Sequence, residues 1–436
     1  MIFTYQDFLK AKEEGALEEF IRHCVDGYIG SYTYRQILMN EAYFRGENPT
    51  LMAYFAAVNT EKGSMDMFPK IRVPSGVFAR IVTLQVNRLW YNGVTLDDGD
   101  KKRALGEDFD KVAKDIATNA AVHGVCYGFW NYDTLQMFSA KEYFPLVDER
   151  SGEHRGGVRF FSIGEGKPWV IQLYEEDGWS EFSWETGEPL VLAREKESYR
   201  LSIRSDALGE EIVGHYNYTS YPVLPVYANS RKSSELTASI KAKVDLFDAI
   251  MTTFGDTMLK TKAIYWIFEG MSGAIESLVE AKETIERLGI IAWADDTKAR
   301  PESVSLPYEA TMGFLAELEK GIFRDAMVTN PQEIMGGHLT ATAIKASYHA
   351  EKLKVSDMEW QAWDFIRRLL LIVGIENEII RFKHETVSND MEVTQRLNMY
   401  TNLPIETKVK LDPLFPEEIE EMVVEEVKEG EESGYI

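Results

Sequence analysis

The stretch SSELTASIKAKVDLFDAIMTTFGDTM, residues 233–258, places Leu236, Ile240, Val244, Phe247, Met251, Phe254 and Met258 at intervals of three or four. That spacing gathers the apolar side chains on one stripe and leaves Asp245, Asp248 and Asp256 on other faces, so it predicts a long amphipathic helix. The next segment differs in kind. A strand-like AIYWIF (263–268), a helical run from about Gly273 to Leu288, a second strand-like GIIAWAD (289–295) and a proline-flanked stretch ending at Pro307 follow in turn. A second amphipathic helix then runs from about Tyr308 to Met327, with Leu315, Leu318, Ile322 and Ala326 on one face. A compact α/β insertion between two helices whose apolar faces must be covered decides the architecture.

Upstream of this unit the chain has two characters. The first ~130 residues read as helices, among them Tyr34 to Arg45, Gly76 to Asn92 closed by Gly93, and Glu107 to His123 closed by Gly124. From Val125 to Tyr227 the period changes to two, in short β-branched and aromatic runs separated by Gly, Asp and Ser turns. This region is expected to be an antiparallel meander whose aromatics serve packing, not base stacking. Downstream, the loop TNPQEIMGGHL (329–339) precedes a helix expected from Thr342 to about Val373, stopped by Gly374. The last helix is expected to begin at Pro416, and residues 417–432 hold nine glutamates against one lysine.

Composition narrows the function classes. The 436 residues are 45% apolar and 27% charged, ordinary for a globular protein. With 47 Lys+Arg against 71 Asp+Glu, the net charge of −24 opposes tight binding of duplex DNA through broad phosphate neutralisation. It allows a repelling wall with a few basic points, along which DNA slides. Cys24 and Cys126 form no CxxC or Cys/His cluster, so neither a disulfide framework nor a zinc ribbon is expected. The N-terminus has no secretory pattern, and the longest apolar run, Leu369 to Ile375, is too short to span a bilayer.

Catalytic signatures are not expected either. GEGKP at Gly164 lacks the Walker spacing and reads as a turn, and DDGD at Asp97 to Asp100 has no calcium-loop continuation. The seven histidines form no HExxH and have no GxSxG partner. No cofactor, metal or catalytic residue is expected. The alternative from another class is a metal-dependent nucleic-acid hydrolase with scattered Asp/Glu ligands.

Six passages in collinear order carry a resemblance. They are EAYFRGENP (41–49), RLWYNG (88–93), AAVHGVCYGFWNYD (120–133), the run from Val223 to Met258, and GIFRDAMVTNP (321–331) with TATAIKASYHAEKLKVSDMEWQAWDFIRRLL (340–370). Together they resemble tailed-bacteriophage portal proteins of the Gram-positive-phage type, the head–tail connector ring. GGHLTAT (336–342) departs from the Ser-Gly-Val-Ala-Leu-like run of many members, and the C-terminal part is short.

The resemblance implies an α+β portal fold with a helix-flanked β wing, an α-helical stem, a small α/β clip and an α-helical crown. On this chain the parts fall at 1–240 (wing), 241–263 and 308–328 (stem helices), 264–307 (clip), 329–341 (tunnel loop), 342–388 (long wing helix) and 389–436 (crown and acidic tail). It implies a homo-oligomeric ring, a dodecamer in the particle, located in the virion at one capsid vertex after assembly in the host bacterial cytoplasm. Double-stranded DNA passes through the channel. The implied partners are the terminase large subunit, a head-completion adaptor and the major capsid and scaffolding proteins, with no membrane.

Two residue groups follow. Gly336, Gly337 and His338 in the loop, with Lys345, His349 and Lys352 at i, i+4 and i+7, are the candidate DNA-channel residues. Ile344, Tyr348 and Val355 are expected to pack on an adjoining face. In the clip, Trp266, Phe268 and Trp293 beside Glu276, Glu280, Glu283 and Glu286 give an apolar and acidic mix suited to protein docking.

Overall fold

The computed structural model describes residues 3–54, 71–185, 187–206, 209–260, 265–269, 298–302, 308–331 and 348–382. The expected α+β character is present, with helices grouped at both ends of a β-rich centre. Local signals set the helix boundaries. Thr4 Oγ1 accepts from the Asp7 amide at 3.1 Å and starts α1 (Tyr5–Glu13), while Ser31 Oγ does the same for Tyr34 at the head of α3 (Tyr32–Phe44). Between them lies α2 (Leu17–Ile29), and α4 (Val77–Trp90) begins after a left-handed Gly76.

Strand β2 (Val94–Leu96) and the short α5 (Gly99–Arg103) come next. The DDGD turn caps α5: Asp98 Oδ1 accepts from the Asp100 amide at 2.9 Å, and Asp97 pairs with Arg381. Helix α6 (Phe109–His123) ends at Gly124, whose φ of +94° is costly for a residue with a Cβ. The carbonyls freed at that end are taken by the following chain, Ala121 O by the Glu235 amide at 2.8 Å and Val122 O by the Ser234 hydroxyl at 2.7 Å.

The β region corrects the expectation of one meander. Strands β3 (Cys126–Trp130) and β4 (Leu135–Ser139) form a hairpin, and β12 (Val223–Val226) returns to pair antiparallel with β3. A separate six-stranded sheet has the order β1-β5-β6-β7-β8-β9, built from β5 (Tyr143–Val147), β6 (His154–Ser162), β7 (Trp169–Glu175), β8 (Gly178–Trp184) and β9 (Val191–Glu197). Its edge strand β1 (Phe3–Thr4) comes from the N-terminal region read as helical and pairs parallel to β5. Strands β10 (Arg200–Asp206) and β11 (Gly209–Tyr216) make their own hairpin. GEGKP forms the β6–β7 turn, closed by the Lys167 amide on Gly164 O at 3.2 Å.

The two sheets meet over aromatic side chains. Tyr127, Phe129, Phe138, Tyr143, Tyr174 and Tyr221 are buried together, and the Tyr143 and Tyr221 hydroxyls bond each other at 2.8 Å. These aromatics are packing elements, as their alternation predicts. A second core seats Phe8 and Ile21 against Phe144, Phe160 and Phe182 of the six-stranded sheet. Cys24 and Cys126 are buried free thiols, and burial pushes the Cys24 thiol up to about 12.

The largest core joins α4 and α6 to the three long helices α7 (Ala238–Lys260), α8 (Tyr308–Ala326) and α9 (His349–Val373). Leu236, Ile240 and Val244 are buried as their spacing requires, whereas Met258 at the far end of the stripe is half exposed. Helices α7 and α8 are fastened by Lys243 to Asp325 at 2.6 Å and by Phe254 facing Tyr308 at 5.9 Å. Gly374, at φ +88°, stops α9 where expected, while residues 342–347 lie outside the described residues. Strand β15 (Ile380–Phe382) pairs with β2.

One strand lies where the sequence reading placed a proline-flanked segment. Strand β13 (Tyr265–Glu269) pairs antiparallel with β14 (Lys298–Glu302), chain read as a proline-flanked connector, with Trp266 opposite Pro301 and Phe268 opposite Ala299. GIIAWAD lies outside the described residues. Proline is tolerated in such a two-stranded pair because its missing N–H can face the open edge.

Candidate functional site

The candidate channel site is built where α4, the end of α8 and the start of α9 converge. Glu351, in the first turn of α9, is buried, and its carboxylate takes the Arg88 guanidinium of α4 at 3.3 Å and the Thr329 backbone amide at 3.2 Å. Arg88 also lies over the Tyr348 ring, 4.3 Å from its centroid. Thr329 opens the expected tunnel loop and Glu351 lies in the helix that follows it, so one charge-assisted cluster ties the segments on either side of that loop to α4. The Gln85 side chain adds a hydrogen bond from α4 to Ala326 O at 3.1 Å.

A second buried pair fixes the next turn of α9. Lys354 meets Glu235 at 2.7 Å, and Glu235 also accepts from the Asn229 side chain at 2.8 Å. One turn on, Asp357 accepts from the Ser230 amide and hydroxyl. These contacts engage Arg88 and Lys354, whereas His349 and Lys352 are exposed on the opening turns, three residues apart on one face. Val355 is buried and Tyr348 half-buried on the adjoining face, as the spacing predicts. Ile344, Gly336, Gly337, His338 and Lys345 lie outside the described residues.

In the candidate docking region, Trp266 and Phe268 lie two residues apart on β13. Glu276, Glu280, Glu283, Glu286 and Trp293 lie outside the described residues.

Sequence reasoning missed the polar fastening of α7. Asp248 is buried and accepts from the Asn48 side chain at 2.8 Å and the Ser75 amide at 2.9 Å, and burial raises its carboxyl above the usual range. Asp245 accepts from the Tyr43 hydroxyl and pairs with Lys241 at 2.8 Å. The Thr252 hydroxyl accepts from the Val73 amide at 3.0 Å. The only sequence signal was the presence of two aspartates and a threonine on the side of α7 away from its apolar stripe.

Among the described residues no group of three or more His, Cys, Asp or Glu side chains is arranged to hold a metal, and no helix is long and apolar enough to cross a membrane. Comparison with known proteins gives the context. The family model for "Phage portal protein, SPP1 Gp6-like" matches residues 28–409. The portal protein of Clostridium phage phiCD119 is 24% identical over 195 residues, which cover 42% of this chain and 43% of that relative. The aligned part thus spans less than half of that relative's length. With the family match running through the α7–α8 unit and the Arg88–Glu351 junction, the chain belongs to the SPP1 Gp6-like family of phage portal proteins.

Proposed function

We propose that this chain forms a ring at one capsid vertex, whose axial channel carries double-stranded DNA during packaging, retention and ejection. In this reading residues 1–240 are the wing, α7 and α8 line the stem, 264–307 form the clip, 329–341 the tunnel loop, 342–388 the long wing helix and 389–436 the crown. The terminase large subunit and then a head-completion adaptor dock on the clip, and capsid and scaffolding proteins surround the wing. The protein's role is structural and not enzymatic.

The observation that carries this reading is the uncovered apolar surface of the α7–α8 pair. Leu246, Met258, Tyr308, Met312 and Phe314 are exposed on two helices that pair with each other through Lys243–Asp325 and Phe254–Tyr308. Beside them a groove of about 630 Å³ is lined by Leu51, Leu246, Ile250 and Phe254. Residues of this kind on adjoining elements suit heterologous contact with an identical neighbour, and rotation closes such contacts into a ring. Lys352 then supplies a sparse positive charge and His349 a polar neighbour on an acidic wall, enough for passing contact with phosphates and too little to hold them.

Negative-stain imaging of the purified chain tests the ring, and sedimentation showing only monomer and dimer at micromolar concentration overturns it. For the channel, Lys345→Glu with Lys352→Glu is expected to assemble normally and to package or retain less DNA. Unchanged packaging by assembled mutant rings makes the stripe a solvated helix face. Magnesium-dependent DNA cleavage by the purified protein favours the hydrolase instead.

A further inference from the structure

Away from the α7–α8 unit, a cleft of about 740 Å³ opens between the start of β6, the edge strand β12 and the second half of α9. Its arginines are already engaged. Arg155 pairs with Glu153 and Glu176 at 3.1 and 2.9 Å, and Arg367 and Arg368 pair with Asp364 at 3.3 and 2.7 Å. Lys232 differs from them. Its ammonium lies 4.7 Å from the centre of the Tyr227 ring and meets no carboxylate among the described residues. Its backbone sits at φ +55°, a conformation uncommon for a residue with a Cβ, in a turn closed by its amide on Asn229 O at 3.0 Å.

His154 lines the same cleft. Its Nδ1 is sealed from solvent with no hydrogen-bond partner, so Nε2 is the nitrogen left to the cleft. Burial, with the positive charges of Lys232 and Arg368, lowers the imidazole to about 4 and keeps it neutral. A neutral imidazole has one N–H, and the tautomer that carries it on Nε2 offers a donor to a ligand in the cleft.

The geometry points to a peptide-binding site: a carboxylate on an extended segment of another protein seats between the Lys232 ammonium and the His154 imidazole, while an adjoining apolar side chain rests on Leu224, Pro225 and Ile372. Charge complementarity carries the choice of ligand. One unpaired cation and one N–H donor match a single carboxylate, and the apolar wall matches its neighbour. A continuous phosphate backbone would run against Glu153, Glu176 and Asp364, which line the same cleft.

The test uses the full chain and two synthetic peptides, acetyl-Leu-Glu-Leu-Ala-amide and its Gln counterpart, titrated calorimetrically at millimolar concentration. The Glu peptide is expected to bind about tenfold tighter than the Gln peptide, the range of one charge-assisted hydrogen bond. Lys232→Met, at an exposed position where folding is undisturbed, is expected to abolish that preference, and His154→Gln to reduce it. Equal binding of the two peptides, no binding of either, or a preference that survives Lys232→Met overturns the site. A short DNA duplex that displaces the Glu peptide in a Lys232-dependent way overturns the choice of a peptide carboxylate.

Discussion

His123 is buried at the end of α6 with Glu41 at 3.7 Å, and both ring nitrogens lack hydrogen-bond partners. Burial outweighs the attraction of Glu41 and lowers its pKa from 6.5 to about 4. The folded state therefore resists protonation while the unfolded chain accepts it, so stability is full above the unfolded value and falls as the pH drops from 6.5 towards 4. From pH 7 to 5 the loss traceable to this group is about 2 kcal/mol. Chemical denaturation at the two pH values, repeated on His123→Gln, checks it: the variant should lose part of the pH dependence. At the same scale, Glu351→Gln removes the charge of the buried carboxylate that Arg88 and the Thr329 amide share and is expected to cost roughly 1–3 kcal/mol. Arg88→Met with Glu351→Leu should recover much of that stability, and the two denaturation curves compared decide whether the pair or its half is the problem.

Elements were legible in the sequence wherever the signal was local. The α6 boundary follows from Phe109, Ile116 and Ala120 in phase and a glycine after His123, and the α7 and α9 stripes could be read the same way. Strand partnership could not be read. Nothing near Val223 marks it as the neighbour of Phe129, or Phe3 as the neighbour of Leu146, because pairing is decided by side chains that meet only after folding. The candidate site divides similarly. The His349 and Lys352 stripe has helical spacing, whereas Arg88 and Glu351 lie on separate helices with no shared pattern. One contact between elements gives a sharp test. A Cβ on Gly128 of β3 would stand 2.6 Å from Phe365 Cζ, so the absent side chain is what lets α9 lie against the sheet. Gly128→Ala is expected to destabilise by about 1–3 kcal/mol. Adding Phe365→Leu should restore part of the loss in a double-mutant cycle, and simple additivity would show that the contact is not the cause.

At the scale of the molecule, apolar surface is distributed unevenly. Phe314 on α8 is 52% exposed and Trp360 on α9 is 66% exposed, on helices that also carry buried residues such as Ile322 and Phe365. In a closed ring such faces are covered by the next copy. Leu246→Glu with Phe314→Glu is therefore expected to leave the folded subunit intact by circular dichroism and to shift it from ring to monomer in light scattering after size exclusion. A ring of wild-type mass from that variant would place the subunit contact elsewhere.

The pairing of β1 with β5 also has a meaning in time. Phe3 and Thr4 cannot take their places until Leu146 and Val147 have been made, about 140 residues later, which at ~5–20 residues per second is on the order of ten seconds. Phe8, Ile21 and Val25 wait with them, since their core is completed by β5 to β8. During synthesis the front of the chain is thus a greasy, unpartnered segment outside the ribosome.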